Sequence, residues 1–169
     1  VGPRVYGCPE LPERGGANPN YELEVSQIKT GVVQALLDQE MTFADFDAIV
    51  SGGANGVDRV AIGQSYEDPY LAQSIATEQM PGRRPIICFA DWDKFGNYAG
   101  MRRNRTIMDI ATHIVAFLPP HIRSIGTVEM VKMIKRHNAK VGVESPYYKH
   151  LTVIGNDVDV SSTENHVAL

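Results

Sequence analysis

Apolar positions recur along the chain with two different periods. Between Glu22 and Glu40, Val25, Ile28, Val32 and Leu36 fall three and four residues apart, the spacing of one face of an amphipathic helix. Asn20 stands where a helix cap belongs, and Gly31 is a weak point inside. Beyond this helix the apolar residues gather into short runs. Phe46–Val50, Pro85–Ala90, His113–Leu118 and Ala139–Val143 each have the length of a strand. Helical stretches are predicted between them: from Val57, over Leu71–Gln79 after Pro69, over Met101–Ile110, and over Ile125–His137. Residues 7–20, rich in Gly, Pro and Asn, read as a loop, as do Pro81-Gly82 and Pro119-Pro120. A last apolar run, Leu151–Ile154, precedes a polar tail read as disordered.

Strands alternating with helices define an α/β protein with a mainly parallel sheet. The length of 169 residues suits one domain and is short for two. A composition of 43% hydrophobic and 21% charged residues is that of a folded globular protein rather than a disordered one. Two cysteines, Cys8 and Cys88, are too few for a disulfide framework or a four-ligand zinc site, and read as reduced thiols. No apolar run approaches the roughly 18 residues of a membrane span, and no signal peptide is visible, so a cytoplasmic protein is expected. The chain begins at Val1 rather than Met, and part of a first strand is expected to precede it. The net charge of -4 disfavours a protein that coats nucleic acid broadly.

Ligands on parallel sheets bind where strands end and loops enter helices. After Val50 comes Ser51-Gly52-Gly53-Ala54-Asn55-Gly56-Val57-Asp58. Glycines there let a backbone approach a ligand closely, and helix-start N–H groups suit phosphate. The alternative is a tight turn with glycines for packing alone. Asp58 complements the helix dipole, holds the loop, or accepts from a ribose hydroxyl. After Ala90 come Asp91 and Trp92, a carboxylate and an aromatic suited to a sugar and a base, or else parts of a surface loop. The helix that follows opens with Arg102, Arg103, Asn104 and Arg105, cations at the end the dipole disfavours, which points to an anionic partner or else to a solvated face paired with acids. After Leu118, Ser124, Gly126 and Thr127 stand at another helix start, and Glu129 is placed in its first turn as an acid or as a dipole-matching surface residue. The five histidines lack metal-ligand spacing, and His113 reads as structural. Lys132, Lys135, Arg136 and Lys140 read as a solvated basic face.

Taken together, SGGANGVDRVA, ADWDKFGNYAGMRRNRTIMD, HIVAFLP and SIGTVEMV resemble the SLOG superfamily of Rossmann-like nucleotide-binding proteins, in particular its YspA/YpsA-like branch. The likeness runs from about residue 46 to 143. It implies a Rossmann-like three-layer sandwich over residues 1–155, followed by a tail over 156–169. The opening VGPRVY resembles that branch's first strand end, which would bring Gly2 and Arg4 to the ligand edge. The resemblance implies a nucleotide-derived ligand held by the glycine loop and the Gly126-Thr127 helix start, and a homodimer or higher oligomer. The related LOG phosphoribohydrolases carry PGGxGTxxE; here Gly126-Thr127 match, but Met130 stands at the final acid and Glu129 one place early. The DprA branch shares the loop and an R-N-R motif, and binds single-stranded DNA.

Three functions follow as expectations. The first is a binder of a nucleotide or ADP-ribose-like signal, acting as sensor or sequestering protein. The second is a nucleotide hydrolase with Glu129 or Asp58 as catalytic acid or base. The third, disfavoured by charge, is a single-stranded DNA binder. No cofactor or metal site is evident, although phosphates would bring Mg²⁺ with them.

Overall fold

A computed structural model describes residues 21–118 and 124–160, with side chains from Val25 onward. Gly2, Arg4, Cys8, Asn20, the segment from Pro119 to Arg123 and the tail beyond Val160 lie outside the described residues. The chain is α/β, with parallel strand pairs, and divides after Cys88 into two compact units. Among the described residues, the strands form two separate two-stranded sheets, short of the layered sandwich implied by the resemblance.

The first unit opens with helix α1 (Tyr21–Leu37), whose Ile28, Ala35 and Leu36 are buried. Strand β1 is only Val50–Ser51, not the whole Phe46–Val50 run, and pairs in parallel with β2 (Ile86–Ile87). The physical reason lies in Arg83. Its Nη1 donates to the carbonyls of Phe46 (2.8 Å) and Asp47 (3.2 Å), so a side chain takes groups that a longer ladder would have used. The Pro85–Ala90 run is likewise trimmed, and Phe89, within the run but past the end of β2, is 62% exposed. Between the strands lie α2 (Val57–Ile62), a 3-10 turn at Leu71–Gln73 and α3 (Ile75–Gln79). The expected helix over Leu71–Gln79 is therefore broken at Ser74. Ser74 caps α3, its Oγ accepting from Thr77 N at 3.3 Å. Ile62, Ala76 and Ile87 form the buried centre, with Ile49 and Ala61 against it.

The second unit contains α4 (Trp92–Phe95), α5 (Ala99–Ile110), β3 (His113–Leu118), α6 (Ile125–Val141) and β4 (His150–Gly155). Strands β3 and β4 run parallel over six rungs, from His113 opposite His150 to Leu118 opposite Gly155. Alternate residues of β3 face the helices. Ala116 and Leu118 pack with Val131 of α6 and with Val158, while Ile114 packs with Met108, Met130 and Ile134.

Two sequence expectations fail here for one reason. The Ala139–Val143 run is not a strand; Ala139 to Val141 continue α6, which therefore outruns the expected end at His137. Ala and Lys favour helix, and Gly142, at φ +82°, ends it. Asn138 then staples that end to the chain returning into β4: its Oδ1 accepts from Lys149 N at 2.8 Å and its Nδ2 donates to Lys149 O at 2.7 Å. The fourth strand is thus the Leu151–Ile154 run with one residue added at each side. The start of the polar tail is packed rather than disordered. Val158 is buried, and Lys135 Nζ donates to Asp157 Oδ1 at 2.8 Å and Val158 O at 2.7 Å.

Candidate functional site

In the first unit the glycine segment leaves the carboxyl end of β1 and turns into α2. Gly53 has φ +66° and Gly56 has φ +97°, backbone that side chains other than glycine rarely adopt. A Cβ on Gly53 would lie 3.2 Å from both Gln64 O and Ile87 Cγ2. Backbone conformation and close packing therefore both favour glycine at 53. Ser51 is buried, and its Oγ donates to Asp58 Oδ1, so Asp58 ties the two ends of the turn together. Gly52 and Gly56 are buried, whereas Gly53, Ala54, Asn55 and Asp58 are half-buried.

Behind the turn lies a network that no motif signalled. Arg59 grips Asp68 with two donors, Nε to Oδ2 at 3.0 Å and Nη2 to Oδ1 at 3.3 Å. Asp68 also accepts from the backbone N–H of Gln64 (2.7 Å) and of Tyr70 (3.0 Å). Burial alone would raise the Asp68 pKa. The Arg59 hydrogen bond, the two backbone donors and the Arg59 charge outweigh it and hold the carboxyl below its usual range. Asn55 Oδ1 accepts from Arg59 Nη1 at 3.3 Å and from Gln64 Nε2 at 2.7 Å. The sequence signal for this cluster was weak: a basic residue one turn beyond the glycines, and an Asp-Pro nine residues later.

In the second unit, Asp91 caps α4, its side chain accepting from Lys94 N at 3.0 Å. Trp92 is 37% exposed, and a Cβ on Gly100 would meet its Cη2 at 3.2 Å, so the indole lies against the start of α5. The arginines of α5 separate. Arg102 is exposed and stacks on Phe95, 4.0 Å from the ring centroid, and Arg105 is exposed. Arg103 and Asn104 are buried, 5% and 4% exposed.

Asn104 reaches the start of α6, where its Nδ2 donates to Gly126 O at 3.2 Å. Ser124 stands at the N-cap position, and its hydroxyl pairs with that of Thr127 at 2.8 Å, both residues buried. Glu129 is not in the first turn as expected; it is the fifth residue of the helix. Its Oε1 lies 3.9 Å from Lys132 Nζ. Lys132 is fully buried, which removes it from the expected solvated basic face. Lys135 leaves that face too, through Asp157, whose pKa the Lys135 hydrogen bond lowers against the raising effect of burial.

At the opposite end of the strand pair, His113 and His150 stack with ring centroids 4.6 Å apart, and Tyr148 meets His150 edge-on. Among the described residues no group of three His, Cys, Asp or Glu side chains is placed to hold a metal ion, and no helix is long and apolar enough to cross a membrane. No family model, curated protein or solved structure matches the chain.

Proposed function

We propose that this chain is a SLOG-type, Rossmann-like domain that binds a nucleotide or ADP-ribose-like ligand, as a sensor or sequestering protein. The observation that carries the reading is the polar group at the start of α6. Ser124, Thr127 and Asn104 are buried within hydrogen-bonding reach of one another's segments, and Arg103 is buried beside Asn104 in the chain. Buried polar groups are costly unless they are hydrogen-bonded, and here they hold one another in place at the helix start, where the reading puts the ligand. A 17-residue helix, starting beyond the carboxyl end of β3, lends that place a positive dipole end. The glycine turn after β1 supports the same chemistry in its own unit, with close backbone approach and N–H groups suited to phosphate.

Glu129 and Asp58, the candidates for hydrolysis, both have structural tasks: one pairs with a buried ammonium and the other ties the glycine turn. This favours binding over cleavage. Oligomerisation is part of the same proposal, and any Mg²⁺ would arrive with the ligand's phosphates.

The test is mass spectrometry on nucleoside monophosphates, ADP-ribose, NAD and cyclic ADP-ribose incubated with the protein, before and after heat denaturation. Depletion of one member that returns unchanged on heating supports the reading. Conversion to products makes the protein a hydrolase, and depletion of none overturns both. Arg103→Ala should weaken binding by about tenfold or more if the guanidinium meets a phosphate.

A further inference from the structure

We infer that Arg59 and Asp68 act as a clamp that turns the Asn55 side chain into a fixed hydrogen-bond donor, which suits the turn after β1 to an anionic, acceptor-rich group such as phosphate. The ligand half of this inference rests on the reading above; the clamp itself does not.

A carboxamide's two ends are nearly alike in shape, so an asparagine alone does not say which way it points. Here its surroundings decide. Arg59 has only donors, so the Asn55 atom that meets its Nη1 must be the oxygen. Gln64 Nε2 donates to the same oxygen at 2.7 Å. With Oδ1 occupied twice, Nδ2 and its two hydrogens point away from Arg59 and Gln64. Among the described residues, no acceptor is bonded to Nδ2.

Arg59 can do this because it is held on every side. Asp68 takes its Nε and Nη2 in a fork, and the Tyr70 ring covers the guanidinium face at 4.5 Å. Asp68 is fixed in turn by the N–H groups of Gln64 and Tyr70. Behind it the chain passes close: a Cβ on Gly63 would lie 3.4 Å from Asp68 Cβ. The side chains of Arg59 and Asp68 are 11% and 3% exposed. Buried ion pairs are poor sources of net stability, because desolvation cancels much of their attraction. A pair with this geometry sets an orientation, and the orientation it sets is that of Asn55. Ser51 is consistent with this division of labour, since its hydroxyl proton is committed to Asp58, which leaves Asn55 Nδ2 as a side-chain donor of the turn. Arg59 and Asp68 are positioning residues, and Asn55 is the group that meets the ligand.

Two measurements on the full chain test this. In ligand-free ¹⁵N spectra, Asp68→Asn should shift the Asn55 side-chain amide and Arg59 Nε–H signals; unchanged signals overturn the clamp. If that variant does not fold, Gln64→Ala removes one of the two donors and should shift the Asn55 amide alone. Equilibrium dialysis with ADP-ribose then compares the native protein with Asn55→Asp. The aspartate keeps an oxygen for Arg59 but replaces the outward donor with an acceptor. Affinity should fall by about tenfold or more with an unchanged melting temperature. Equal affinity overturns the ligand role of Asn55. Failure of the native protein to bind ADP-ribose overturns that role and the proposed binding of ADP-ribose, while the spectra still decide the clamp.

Discussion

Asn104 of α5 donates from Nδ2 to the backbone carbonyl of Gly126, 3.2 Å away in the first turn of α6. The bond joins two segments 22 residues apart and is made by a side chain only 4% exposed. It fixes where the start of α6 sits relative to α5. Replacing Asn104 with Ala should destabilise the protein by about 1–3 kcal/mol, from the lost bond and the cavity left by a buried amide. Urea denaturation measures this. A loss below about 0.5 kcal/mol would show that the bond is not maintained in solution.

The stacked His113–His150 pair makes stability depend on pH. Burial lowers the His113 pKa first, and the His150 charge lowers it further, from an ordinary 6.5. The unfolded chain therefore binds a proton at a higher pH than the folded one does. Stability is fully present above about pH 6.5 and is lost as pH falls from there through the lower folded value. The urea midpoint should fall between pH 7.5 and pH 5, and His113→Asn should flatten that part of the profile. An identical slope in the variant would assign the pH dependence to other groups.

Lys132 separates packing from charge. Its side chain is fully buried on α6, 3.9 Å from the Glu129 carboxylate. Lys132→Met keeps the buried methylenes and removes the ammonium, whereas Lys132→Ala removes both. The alanine variant should be the less stable by about 2 kcal/mol, the ordinary cost of emptying a long side chain's volume. Equal melting temperatures for the two variants would mean that the aliphatic stem contributes nothing.

Gly53 sits where a side chain would be both strained and tightly packed. Its φ is +66°, and a Cβ would lie 3.2 Å from Gln64 O. Gly53→Ala should cost about 1–3 kcal/mol, combining left-handed strain with the close contact. Chemical denaturation checks the value, and a neutral effect would show that the turn is free to move.

Much of the secondary structure is legible in the sequence, because its causes are local. The His113–Leu118 run is a strand at the expected residues, and its apolar, β-branched and aromatic composition explains why. The glycine segment reads correctly as a strand-to-helix turn, since positive φ at Gly53 and Gly56 is a local demand. The helix onsets near Val57 and Ile125 follow from the same kind of signal.

Other features depended on partners distant in the chain. Arg83, 37 residues from Phe46, takes the carbonyls that a longer β1 would have used. Asn138 reaches Lys149 and closes the long α6 onto β4, where a short run of sequence alone predicts a strand at Ala139–Val143. Lys132 and Arg103 look like surface cations in any window of sequence, yet the packing of α5 and α6 buries them. A residue's charge and propensity travel with the chain; its burial and its hydrogen-bond partners exist only after the chain has folded back on itself. For that reason the sequence alone determined the glycine turn, while tertiary structure decided which polar residues around it are buried and which partners they take.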